Sequence, residues 1–127
     1  DKSRVGSIYH TRGVVHGIVT VEAIRTAQSK FGKGKPMTGE QIRWGIENLN
    51  IDDKRLKALG ATDLMQPLKL SCKDHEGGGA VKFMQWDGRK WNVVSGWIES
   101  DQSIVRPMIE ESAAAYAKEK GITPRDC

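Results

Sequence analysis

The stretch SCKDHEGGGAVKFMQWDGRKW, Ser71 to Trp91, decides how the chain reads. Cys72, Asp74, His75 and Glu76 crowd together, glycines 77 to 79 follow, and Trp86 and Trp91 bracket Asp87-Gly-Arg-Lys90. A zinc site needs a tetrahedral ligand set, usually from two spaced pairs, and no second Cys/His pair accompanies Cys72 and His75. His10 and His16 do not share a helix face. A phosphate-binding loop joins a strand to a helix and continues into Lys and Ser/Thr. These glycines instead lie between apparent strands. The reading that remains is two turns between strands, with His75 solvated. Trp86 and Trp91 flank the second turn symmetrically and are expected to meet across a hairpin.

On either side, periodicity gives the other elements. Leu68, Leu70 and Cys72 alternate with Lys69 and Ser71, as in a half-buried strand, and strands are also expected at 81–86 and 91–98. Upstream, Val14, Ile18, Val21, Ile24 and Ala27 fall at helical spacing. They predict a helix over 11–31 after an extended lead-in, with Thr11 as N-cap and Gly32 as the stop. Gly13 and Gly17 permit close backbone approach to it or weaken its first turns. Thr38-Gly-Glu-Gln41 reads as a capping box, Asp52 or Asp53 as the cap of a short helix closed by Gly60. A final helix is predicted over 104–120, with Ser103 as cap, Pro107 in its first turn and Gly121 at its end. The fold class expected from these elements is α/β or α+β, with long helices and a three-strand block. No strand before the first helix is strong enough to pack against it, so an upstream segment is expected there.

Composition excludes several functions. The 127 residues are 38% hydrophobic and 28% charged, which suits a globular chain. The net charge of +4 comes from 20 basic residues scattered among 16 acids, not the concentrated footprint nucleic acid requires. No apolar run approaches a membrane span. The opening DKSRVGSIYH is polar, carries no leader pattern, and starts as if cut from something longer. No Ser or Cys is paired with a His at informative spacing, so no enzyme is expected and no cofactor is implied.

The order and spacing of GVVHGIVTVEAIRTAQ (13–28), MTGEQIRWGIENLN (37–50) and PLKLSCKDHEGGGAVKFMQWDGRKWNVVS (67–95) resemble the last third of bacterial solute-binding proteins of the leucine/isoleucine/valine type. The resemblance covers nearly the whole chain. It implies the C-terminal portion of a type I periplasmic-binding-protein fold, two Rossmann-like lobes closing on a solute. Residues 1–88 would belong to the first lobe. Residues 89–127 would supply a crossover strand, a final helix and a tail bracing the second. The implied function is the solute-binding component of an ABC importer for branched-chain or other amino acids, or related carboxylates and amides. Its implied partners are the small solute, the upstream part of the same protein and the ABC permease, and its implied location is the periplasm.

Most ligand contacts of that family lie upstream, but Tyr9 matches an aromatic at the cleft. His10 and Arg12 stand beside it as weaker ligand-binding candidates. In an oxidising periplasm Cys72 and Cys127 could pair; a closed loop of roughly 56 residues stabilises by about 4 kcal/mol on the chain-entropy model. Two alternatives belong to other classes: a ligand-sensing domain of the same fold in a receptor or regulator, and a free-standing α/β interaction domain.

Overall fold

A computed structural model describes residues 2–127. A short 3-10 turn, Lys2–Arg4, precedes helix α1, Ile8–Phe31. Helix α2 is Gly39–Glu47, strand β1 Asn50–Ile51, helix α3 Asp53–Leu59 and strand β2 Leu68–Lys69. Strands β3, Met84–Trp86, and β4, Trp91–Val93, precede helix α4, Gln102–Lys120. The chain forms two compact units, one ending at Gly77 and the other running from Gly78 to Cys127. The lobe boundary expected at 88/89 falls inside the turn between β3 and β4.

In the first unit, α1 and α2 pack against each other beside a small core. The core is Leu49, Ile51, Leu56, Ala61, Met65 and Leu70, with Val15, Ile18, Val19, Leu59, Leu64 and Leu68 packed against it. The caps explain the helix limits. Thr38 Oγ1 accepts from the Gln41 amide while Gln41 Oε1 accepts from the Thr38 amide, the reciprocal pair the sequence predicts. Asp52 caps α3 through the Arg55 amide, and Gly60 ends it in the left-handed conformation. The short strand β1 pairs antiparallel with β2, Ile51 opposite Leu68.

The lead-in is not extended, because Ser7 Oγ accepts from the His10 amide and starts α1 at Ile8, ahead of Thr11. The buried side of α1 is Val15, Ile18, Val19, Ala23 and Ala27. Val14 and Val21 are 40% and 52% exposed and lie on its opposite side. The expected three-strand block is instead two separate two-stranded sheets among the described residues, β1–β2 and β3–β4. The strand predicted after Pro67 finds its partner at Asn50–Ile51, a segment too short to show a period of its own. Asp101, not Ser103, caps α4, its Oδ1 accepting from the Ser103 amide and hydroxyl. The earlier start puts Pro107 beyond the first turn, where its missing N–H forgoes a helical hydrogen bond.

The second unit is built on the β3–β4 hairpin. Its register sets Trp86 opposite Trp91 and Met84 opposite Val93, and a further bridge joins Val81 and Ile98. None of residues 78–127 is fully buried. This unit therefore has apolar side chains and a hydrogen-bonded frame, but no closed core.

Candidate functional site

The sequence-derived candidates Tyr9, His10 and Arg12 all lie on the first turns of α1. Three residues apart, Tyr9 and Arg12 share a side of the helix, while His10 is turned away from both. Tyr9 is 84% exposed, and Arg12 is exposed as well. His10 is used locally, its Nδ1 accepting from the Gly6 amide at 3.4 Å. A pocket that binds a small molecule must enclose it. Among the described residues of the first unit, these three side chains are exposed at a helix entrance.

The segment 71–77 is a loop closed by its own side chains. Asp74 Oδ1 accepts from the Glu76 and Gly77 amides at 3.0 and 3.2 Å, and Ser71 Oγ accepts from the Asp74 amide. Gly77 turns with φ +81°, and a side chain there would run into Leu68. His75 is not simply solvated: its Nε2 lies 3.3 Å from Oε1 of Glu47, whose carboxylate is nearly buried. Among the described residues no group of three or more His, Cys, Asp or Glu is placed to hold a metal ion. Cys72 and Cys127 are both in disulfide form.

A buried polar contact that the sequence did not announce crosses from α1 to α3. Arg55 donates from Nε to Glu22 Oε2 at 2.7 Å and from Nη2 to Oε1 at 2.6 Å, a bidentate pair. Glu22 is only 8% exposed. The hydrogen bonds from Arg55 hold its carboxyl below the usual range against the opposing effect of burial, and the charges of Arg55 and Arg25 add to them. A Glu on the inward face of an apolar helix is the signal that points to such a partner. Each carboxylate oxygen is answered by the same guanidinium, so the pair reads as a structural tie between α1 and α3.

The second unit presents the most exposed apolar surface. The Trp86 and Trp91 rings lie 5.6 Å apart across the hairpin, as the turn symmetry predicts. The turn itself is fixed by Asp87, which accepts from the Lys90 and Arg89 amides and from the Asn92 side chain. These bonds, that of Lys90 foremost, hold its carboxyl below the ordinary range. Lys82 Nζ sits 4.5 Å above the Trp97 ring. Phe83, Met84, Val93 and Val94 remain more than half exposed around this frame. Along α4, Val105, Met108, Ile109, Ala113 and Tyr116 line an open apolar groove. Exposed apolar surface of this kind is characteristic of contact surfaces.

No family model matches the chain, and no curated protein matches it. A solved structure does: a protein from the Pseudomonas fluorescens group, described as an ABC transporter permease, superposes with a TM-score of 0.93 at 57% sequence identity. The match covers 100% of this chain and 30% of that one, so the chain spans less than a third of the solved protein. This finding overturns the resemblance drawn from the sequence. The protein it matches is described as a transporter's permease, not as the solute-binding component that a permease recognises. The expected periplasmic location and the expected separate permease partner fall with it. The order and spacing of helices and strands constrain packing; they do not state which component of a transporter carries it.

Proposed function

We propose that this chain is one portion of an ABC transporter permease protein and that it acts by docking, not by catalysis. One observation carries the reading: 57% identity over the whole chain to a protein described as such a permease. The exposed apolar faces agree with it, because a segment of a larger protein leaves uncovered the surfaces its neighbours cover. Among the described residues no helix is long and apolar enough to cross a membrane, so the part proposed here is a non-spanning α/β portion. No bond of a transported molecule is made or broken by it. The fold proposed with this function is a fragment of a larger two-lobed α/β arrangement.

Membrane vesicles from cells expressing the longer protein, with and without this segment, test the reading. Vesicle contents are assayed by mass spectrometry after addition of ATP and a mixed set of small solutes. The reading predicts ATP-dependent movement of at least one solute that disappears when the segment is deleted. Movement that survives the deletion unchanged would contradict it.

A further inference from the structure

Helix α1 is apolar on two opposite sides. Val15, Ile18, Val19, Ala23 and Ala27 face the core of the first unit. At 100° per residue, Gly13, Gly17, Val21, Ile24 and Gln28 fall on the opposite side, with Val14 at its margin. A side chain built at Gly13 or Gly17 would meet nothing within 4 Å. Val21 and Ile24 continue from this glycine notch into a shallow groove bordered by Arg25 and Lys33. A surface helix carries one apolar stripe and a polar back; a helix apolar on both sides belongs to an interior. Two glycines one turn apart are poor helix formers, costing about 1 kcal/mol each relative to Ala. Without side chains they leave room for another backbone to come close.

We infer that α1 is an interior helix of a longer protein, and that its Gly13–Gly17–Val21–Ile24 side is covered by another segment of the same polypeptide. The inference rests on the proposed membership in a larger permease protein. The occupant follows from length: the solved relative contains this entire fold in 30% of its chain, and most of its residues lie outside the match. The groove's basic border, Arg25 and Lys33, favours an element with an acidic or carbonyl-rich end beside its apolar face. A second copy of this chain is the competing occupant. Paired about a two-fold axis, the commonest arrangement of soluble homo-oligomers, it would meet the same side with its own Arg25 and Lys33 and place like charges together.

A cysteine at Val21 reports the cover directly, since neither native cysteine is free to react. Val21→Cys is placed in the 127-residue chain and in the Pseudomonas fluorescens-group protein carrying this chain in place of its matching part. Thiol labelling rates are measured for each and normalised to the rate in urea. The expected result is labelling at least a hundredfold slower in the longer protein, with fast labelling in dilute 127-residue chain. Equal, fast labelling in both overturns the inference. Slow labelling in the short chain that speeds up on dilution also overturns it, in favour of a second copy. Should the hybrid fail to fold, a cysteine at the aligned position of the solved protein itself gives the same two outcomes. None of these readouts involves transport, so loss of the permease reading in vesicles leaves this result standing, and the reverse.

Discussion

Gly45 is where the first unit's architecture is most exposed to a single methyl group. It lies on α2 where that helix crosses α1, and it is buried. A Cβ built there would overlap the carbonyl oxygen of Ala23 and come within 2.8 Å of the Ala27 Cβ and 3.1 Å of the Ala27 amide nitrogen. Carbon atoms rest about 3.5–4.0 Å apart, so the two helices would have to separate by roughly 1 Å. The obstacle is backbone, which cannot rotate away as a side chain can. Overpacking of this kind costs about 1–3 kcal/mol, and a backbone obstacle belongs at the upper end. Replacing Gly by Ala within a helix returns about 1 kcal/mol through propensity. Gly45→Ala should therefore destabilise the unit by about 2 kcal/mol, even though propensity alone predicts the opposite sign. For a unit of this size that is a fall in Tm of about 10 °C. The assay is thermal and urea unfolding of the dilute chain followed by helical circular dichroism. Gly39→Ala, where a side chain would meet nothing, is the control and should change stability little. If Gly45→Ala is as stable as the parent chain, or more so, the close α1–α2 crossing is wrong.

Other expectations follow from the contacts around it. Because Arg55 lowers the Glu22 pKa below its ordinary value of 4.5, the stabilisation is present above that pH and is lost as pH falls through the folded value. Unfolding free energies of the parent chain and Glu22→Gln should thus differ at neutral pH and converge in acid; a gap independent of pH would refute the assignment. Trp91→Ala should remove the paired-ring signal from near-ultraviolet circular dichroism and weaken the hairpin by about 0.5–1.5 kcal/mol, leaving the Glu22-dependent acid limb of the first unit unchanged. Alkylation of the unreduced native protein should label neither Cys72 nor Cys127, and a non-reducing gel should show a monomer; free thiols or a covalent dimer would sink a bridge within one chain.

The parts of the fold legible in the sequence are those written in local chemistry. Thr38 with Gln41, Asp52 with Gly60, and Trp86 with Trp91 around Asp87-Gly each specify their structure within a few residues. The rest depends on contacts that no local pattern carries. Val14, Val21 and Ile24 have helical spacing, but so do Val15, Val19 and Ala23, and periodicity alone does not say which side meets this chain's own core. The β1–β2 pairing joins residues too far apart and too few to show alternation. For the site, the resemblance implied Tyr9, with His10 and Arg12 beside it, and all three side chains are exposed. The Glu22–Arg55 pair was missed although a carboxylate on an inward helix face requires a partner. The functional resemblance failed at another level: element order resembled a solute-binding protein, whereas the whole-chain match is to a protein described as a permease.

The most direct test of that conclusion is capture of the longer protein. It is tagged at its own locus, extracted from cells in mild detergent, and its companions are identified by mass spectrometry. The account predicts recovery from the membrane fraction together with an ATP-binding transporter subunit in comparable amount. Recovery without membranes and without any such subunit would contradict it.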